Sequence, residues 1–548
     1  MFEWDQFKPA DAANTFWDVI VVGTGMGGST IGHALAKRGL KVLFVEHGLP
    51  ATTFTHPSFR QRLKGLFDPE QKRASRTAMG RWPHKISVLE GNRAVHFYPP
   101  LGFGPGGSTV VYGAALERLR RTDLNQSKCE HDGPGSLPDD WPINFDDLAK
   151  YYAKAEEHYH VCGGNDPLDP DDNAALKSGP PLSKKDQYFF DSFERFGLDP
   201  YRLHVGIAYK PGCVECLGVA CPRSCKADAS NRALMPALKL YGAKILLGCL
   251  VERLEVAGAE AKSVIANIDG QTAKLRSRIV VLAAGAFFTP MLLQTSKSPQ
   301  WPNGVGNQTD MVGRGLMFHI SDLFTLESHI PLDSAGPMKT LSSRAFYGDE
   351  RDKLGSFQSV GVRISQGHIY SFLKDRLEEK FGFHIPLSGL VLRAVSIFSA
   401  YFFSNATVFA TIQEDLPYRD NRVVTDPESP SGFHIEYKKS SELKRRITSM
   451  RRALKEKLKP LKPFFLSGNN NINWGHACGT CRFGTDPKSS VLGPDNKVWG
   501  TDNLYVVDAS FFPSSGATNP SLTIAANALR VADIIVERPE MGLRHSSA

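Results

Sequence analysis

Short apolar runs, each closed by glycine or an acid, alternate along the chain with stretches of helical periodicity. Asp18-Val-Ile-Val-Val22 is nearly continuous in apolar character, the pattern of a parallel strand buried on both faces. It runs straight into Gly23-Thr-Gly25-Met26-Gly-Gly28, and a helix-period stretch then continues to Arg38, where Gly39 ends it. A second apolar strand, Lys41 to Val45, closes on Glu46, eighteen residues beyond Gly28. Further on, an apolar strand at Ile279 to Leu282 ends in small residues, and a helical pattern covers Ser521 to Val536. The most apolar long window, Ile385 to Ser404, is interrupted by Arg393 and several serines. It falls short of the roughly 20 apolar residues a spanning helix needs. It therefore reads as a core or pocket helix, and no transmembrane segment is expected.

Strand, glycine turn, helix, second strand and terminal acid together form a dinucleotide-binding βαβ unit. Gly23 makes the tight turn, Gly25 lets backbone approach a pyrophosphate, and Gly28 lets helix pack on strand. Met26 opens the helix, whose free N–H groups face the pyrophosphate, and Glu46 can accept hydrogen bonds from ribose hydroxyls. This signal does not separate FAD from NAD.

Composition narrows the partners. A chain of 548 residues predicts two domains, and 41% hydrophobic with 22% charged residues is the profile of a folded enzyme. Lys and Arg exceed Asp and Glu by 65 to 57, yet the basic residues are spread without a dense run, so no nucleic-acid partner is expected. Met1 to Asp18 lacks the features of a secretory signal, which predicts a cytoplasmic protein unless a partner subunit supplies export. Nine cysteines are too few for a secreted disulfide scaffold, but four of them fall between Cys213 and Cys225.

A second glycine-rich loop, Leu101-Gly-Phe-Gly-Pro-Gly106-Gly107-Ser108-Thr-Val-Val-Tyr-Gly-Ala-Ala, suggests backbone packed close against a flat ligand. Here the chain resembles the glucose-methanol-choline family of flavoenzymes, in which a loop of this type lies along the flavin. Trp141-Pro-Ile-Asn-Phe-Asp-Asp-Leu, Ile279 to Ser296, Val312-Gly-Arg-Gly-Leu-Met-Phe-His319 and Glu414-Asp-Leu-Pro also resemble family segments. The resemblance runs from about Phe16 to Glu537. It implies an α/β fold: a Rossmann-like FAD-binding domain with an inserted substrate domain built on an antiparallel sheet with helices. The implied division is 16–320 for a discontinuous FAD-binding part, 321–470 for most of the substrate domain, and 471–540 for a C-terminal FAD-binding and catalytic segment. Relatives with covalent flavin carry a histidine at about the place of Val111, so the resemblance implies FAD held without a covalent bond.

The catalytic expectation rests on the C-terminal motifs. Trp474-Gly-His476-Ala-Cys-Gly-Thr, Val506-Val-Asp508-Ala509 and Gly516-Ala-Thr-Asn519-Pro520 resemble the family's active-site segments. His476 thereby corresponds to the active-site histidine and Asn519 to its partner. Asp508, Ala509 and Pro520 fall where the chain contacts flavin, with Pro520 suited to the first helical position. Oxidising an alcohol needs a base for the hydroxyl proton, which an imidazole supplies near neutral pH, and a hydride acceptor such as flavin N5. Asn519 can orient the oxygen without adding charge. Cys478 and Cys481 read as small residues packed beside the flavin, because no thioredoxin-like βαβ context surrounds them.

Cys213, Cys216, Cys221 and Cys225 are spaced C-x2-C-x4-C-x3-C, which differs from a ferredoxin run and from split zinc knuckles. The segment is similar to those of cluster-bearing sugar dehydrogenase subunits and of long-chain alcohol oxidases. An iron-sulfur cluster, zinc, and disulfides or packing thiols all remain open. The resulting expectation is FAD-dependent oxidation of a small-molecule alcohol or sugar, with electrons passed to oxygen, an external acceptor or a small partner subunit. A flavin-dependent isomerase or lyase without net oxidation, and a non-enzymatic nucleotide-binding module, are the competing readings.

Overall fold

In the computed structural model of the protein, residues 4–541 are described apart from 56–67, 91–92, 125–134, 139, 170, 172–175, 332–336, 349–352, 364–405 and 469–470. The apolar window Ile385 to Ser404 lies outside the described residues.

The apolar runs become the centre of a seven-stranded sheet. Strand Phe16–Val22 pairs in parallel with Val42–Val45 on one side and with Gln271–Leu282 on the other. Lys244–Leu246 extends the parallel array, and Leu504–Val506 joins the far side of Gln271–Leu282, opposite Val280 to Leu282. The same twelve-residue strand begins in an antiparallel meander with Cys249–Ala257 and Glu260–Ile268, so two pairing schemes share it.

Burial on both faces explains the unbroken apolar character. Val19, Val21, Val42, Phe44, Ile279 and Val281 pack into one cluster with Ile31 and Leu35 of helix Met26–Lys37 and with Val531 and Ile535 of helix Ser521–Val536. Ile20, Val22, Leu43, Val45, Val280 and Leu282 enter the other cluster. Fully burying such a side chain stabilises by roughly 1.5–3 kcal/mol. The two helices sit at opposite ends of the sequence, so the sheet ties the chain's first and last segments together.

An eight-stranded sheet, antiparallel in its pairings, forms the second layer. It runs through Phe464–Phe465, Leu323–Leu326, Thr407–Glu414, Ser356–Arg363, Leu341–Ser343 and Tyr201–Arg202, with Met317–Ile320 and Ile472–Cys478 attached at the side. A four-stranded sheet joins Arg422–Thr425 and Phe433–Glu436 to Ile86–Glu90 and Arg93–Phe97. The fold is thus α/β, a Rossmann-like layer beside an antiparallel sheet. Among the described residues no helix is long and apolar enough to cross a membrane.

Candidate active site

A cavity of about 650 Å³ opens along the carboxyl ends of the parallel strands. Gly23, Thr24, Gly25 and Met26 form its floor, with Gly25 as the residue that caps helix Met26–Lys37. Gly23 has φ +94, a conformation that favours glycine, and a Cβ there would strike the carbonyl of Ala283. At Gly25, by contrast, a Cβ would meet nothing within 4 Å, so the backbone is open to a ligand. Gly28 does not line the cavity. A side chain there would collide with the Gly23 carbonyl and Ala283, which is the close helix–strand packing expected of it.

Glu46 closes one end. Its carboxylate accepts from the Thr24 amide at 3.1 Å, the Thr24 hydroxyl at 2.6 Å and the Gly48 amide at 2.9 Å, and burial raises its pKa. Oε2 takes both Thr24 donors and Oε1 the Gly48 amide, which fixes the carboxylate on the cavity wall where a ribose would lie. Gly107 and Ser108 line the wall, with the Ser108 hydroxyl accepting from the Gly102 amide at 3.0 Å. Gly106 stands behind them, its N–H donating to Thr24 Oγ1 at 3.3 Å. Asp508 caps the turn Ala509–Phe511 and also accepts from the Gly285 amide (2.9 Å) and the Thr289 hydroxyl (2.5 Å). It thereby joins the ends of two parallel strands where Ala284, Gly285 and Ala509 meet the cavity.

His476, on strand Ile472–Cys478, faces the same cavity. The pairing with Met317–Ile320 jumps from His319↔Asn473 to Met317↔Cys478, so Trp474 to Ala477 bulge opposite Phe318 alone. Such a bulge re-aims side chains. His319 Nδ1 lies 3.0 Å from His476 Nδ1, while His319 Nε2 lies 3.1 and 2.9 Å from the carbonyl oxygens of Ser515 and Gly516. Carbonyls only accept, so His319 carries its proton on Nε2. Burial lowers its pKa to about 4, which keeps the ring neutral and its Nδ1 an acceptor. His476 must therefore donate from Nδ1, which leaves the lone pair on Nε2 free. Burial, then the neighbouring His319 ring and the Lys339 ammonium, hold the His476 pKa well below the ordinary imidazole range.

Asn519 and Pro520 also reach the cavity. The Asn519 amide donates to Gln358 Oε1 at 2.9 Å and to Glu117 Oε2 at 3.4 Å. The carboxylate fixes which way the amide points, since it can pair only with the NH2. Pro520 caps helix Ser521–Val536 rather than occupying its first turn, one residue earlier than expected. Pro520, Ser521 and Ile524 place that helix N-terminus on the cavity wall.

The sequence patterns of the GMC oxidoreductase family match residues 17–321 with their N-terminal part and residues 418–528 with their C-terminal part. The chain belongs to the GMC oxidoreductase family. It is 27% identical to 6'''-hydroxyparomomycin C oxidase of Streptomyces lividus over 97% of this chain and 93% of that protein. With 2-methyl-1,2-propanediol dehydrogenase of Mycolicibacterium austroafricanum it shares 26% over 95% of each. The fold matches the crystal structure of pyridoxine 4-oxidase from Mesorbium loti with a TM-score of 0.62 at 18% identity, covering 94% of this chain and 99% of that one.

This GMC oxidoreductase is an FAD-dependent enzyme, and its cavity fits that cofactor. A cradle open at Gly25, a helix N-terminus, a buried acid at the second strand and a wall of small residues at Gly107 and Ser108 suit a dinucleotide bearing a flat ring. Gly23, Gly25, Met26 and Glu46 would hold the nucleotide, and Gly107, Ser108, Ala509 and Pro520 the flavin. Val111 lines the cavity and cannot form a histidyl bond, while the adjacent Tyr112 hydroxyl donates to the Ala227 carbonyl.

Of the readings open for the four loop cysteines, packing thiols is the one the described residues fit. Cys213 meets Cys225, and Cys216 meets Cys221, in separate thiol pairs. The loop between them has left-handed backbone at Glu215, Cys216 and Ser224. Among the described residues no group of three His, Cys, Asp or Glu is placed to hold a metal ion. Burial raises the Cys213 thiol and pushes Cys216 up to about 11, whereas backbone amides of Lys226, Arg223 and Cys225 lower the Cys221 thiol. The iron-sulfur reading therefore has no support in the geometry. Instead the segment builds the pocket: Leu217 lines it, and Lys226 donates to the carbonyls of Cys216 (2.9 Å), Val219 (2.8 Å) and Tyr112 (3.2 Å). Cys478 and Cys481 are buried in the main core rather than on the cavity wall.

Proposed function

We propose that the protein oxidises a small-molecule alcohol or sugar CH–OH group to a carbonyl, with His476 as the base. The observation that carries this reading is the His319–His476 contact, which leaves His476 Nε2 as an unprotonated acceptor at a cavity continuous with the dinucleotide cradle. The substrate hydroxyl donates to Nε2 and surrenders its proton there as the C–H bond breaks. Asn519, held by Gln358 and Glu117, bounds the other side of the oxygen and keeps the carbon in line. FAD, when bound, accepts the hydride and passes the electron pair to oxygen or to an external acceptor. The N-terminus of helix Ser521–Val536 favours negative charge developing beside it.

Named relatives that are oxidases and dehydrogenases of alcohols support this reading over an isomerase or a binding module. The test is anaerobic: purified yellow protein, titrated with a panel of alcohols and sugars, should bleach with at least one of them and stay bleached until an acceptor is added. Acid precipitation should leave FAD in the supernatant, because Val111 offers no covalent attachment. A flavin that no alcohol bleaches, or turnover without acceptor consumption, would sink the reading.

His319 acts through His476. His319→Phe keeps bulk but removes the acceptor for His476 Nδ1–H, so His476 can protonate on Nε2 instead. Flavin reduction is expected to slow by about 10- to 100-fold, the scale of lost orienting partners, with an altered pH profile. His319→Gln, whose amide offers both an acceptor and a donor, should recover part of the rate. Equal pH profiles and rates in parent and His319→Phe would remove His319 from this role.

A further inference from the structure

One cation in the cavity is not used by the proposed chemistry. Lys339 lines the cavity with His476, Gln358 and Asn519, and is 7% exposed. Its nitrogen donates to the carbonyl of Gly113 at 2.8 Å. That position exists because residue 113 is glycine: a Cβ there would run into the lysine nitrogen. Gly361 clears space in the same way for the start of the side chain.

An ammonium has three hydrogens to donate. Among the described residues, only the Gly113 carbonyl takes one. The acids that act on Lys339 are Glu215 and Glu117, and both are spent elsewhere. Glu215 accepts from the Tyr209 hydroxyl at 2.8 Å and from the amides of Met338 (3.2 Å) and Lys339 (3.1 Å). Glu117 accepts from the hydroxyls of Tyr201 (2.5 Å) and Thr518 (3.3 Å) and from the Asn519 amide. A buried cation without a paired anion is costly, and buried charges are as a rule paired.

We propose that Lys339 is a specificity residue that receives a carboxylate or comparable anionic substituent of the alcohol substrate. The proposal rests on the alcohol-oxidation reading and adds the substrate class. An entering carboxylate would take the two remaining N–H donors in charge-assisted hydrogen bonds, which are stronger than neutral ones. A protonated amine in that position would meet repulsion instead.

Burial is the main cause that lowers the Lys339 pKa to about 8; Glu215 and Glu117 oppose it and Lys226 adds to it. His476, held neutral, contributes no charge near pH 7. Anion recognition should therefore be present at pH 7 and fade as the pH rises through about 8.

The test is binding to FAD-loaded enzyme, followed by the visible absorbance of the flavin. Benzoate and acetate are titrated against their neutral isosteres benzamide and acetamide at constant ionic strength, at pH 7 and pH 9.5. The parent should bind at least one carboxylate ten-fold or more tighter than its amide at pH 7, with the ratio shrinking at pH 9.5. Lys339→Met should bring it near one while retaining FAD. No spectral response to either carboxylate, equal binding of acid and amide, or a preference that survives Lys339→Met overturns the proposal. Should Lys339→Met fail to fold, the pH dependence of the parent decides. Protein that no alcohol reduces defeats the oxidation reading; protein that oxidises alcohols without a carboxylate preference defeats this inference alone.

Discussion

His476→Ala is expected to retain FAD yet to be reduced by its alcohol substrate at least about 100-fold more slowly than the parent, the usual scale for loss of a general base. FAD should stay because the nucleotide cradle at Gly23, Gly25 and Glu46 does not involve the histidine. The pH profile carries the sharper part. Neutral imidazole is the active form, and burial together with the neighbouring His319 ring and the Lys339 ammonium depresses its pKa well below 6.5. The parent should keep its rate as the pH falls through 6.5 and lose it only further down. In His476→Ala that acid limb should vanish. Stopped-flow reduction across pH decides, and a variant as fast as the parent would mean that another group takes the proton.

Gly25→Leu should yield a folded protein almost devoid of FAD. Residue 25 has φ −68 and ψ −166, extended backbone that any residue adopts, and its Cβ would touch no protein atom. Nothing in the fold resists the change, so the added side chain projects into the space where the pyrophosphate must approach. The flavin-to-protein ratio after purification should fall to below about a tenth of the parent value, with far-ultraviolet circular dichroism unchanged. Full FAD content would remove Gly25 from the cradle. Gly28→Leu is the contrast, since its side chain would strike the Gly23 carbonyl and misfold the unit whether or not FAD is present.

Which parts of this were legible in the sequence follows from how far apart the interacting residues lie. The nucleotide unit is local: strand, turn, helix and acid occur within residues 16–46, and each leaves a pattern of its own. His476 and Asn519 were visible through their motifs. His319 lay in a segment that resembled the family, but nothing in its neighbours signals a role. Its partner is 157 positions away and reaches it only through an irregular strand pairing. Lys339, Gln358 and Glu117 were missed for the same reason, because their strands and loops converge only when the antiparallel sheet forms. The cysteines show the opposite error. Close spacing brings thiols near one another in the chain, yet in the fold they meet as two pairs and, among the described residues, form no metal-binding group.

The shared strand Gln271–Leu282 has a consequence for how the protein is made. Its first half can pair at once with Glu260–Ile268, a contact between neighbours in the chain. Its second half lies between Phe16–Val22 and Leu504–Val506, drawn from opposite ends of the sequence. Such long-range pairings form late, because loop closure must come first. During synthesis the ribosome releases the meander long before Leu504–Val506 emerges, leaving Val280 to Leu282 with an unpaired, wholly apolar edge. Asp508 and Pro520 arrive later still, so the cofactor cradle is completed only as the last strand docks. Until then a nascent chain offers this edge to its neighbours, and chaperone protection over that interval would govern the yield of active enzyme.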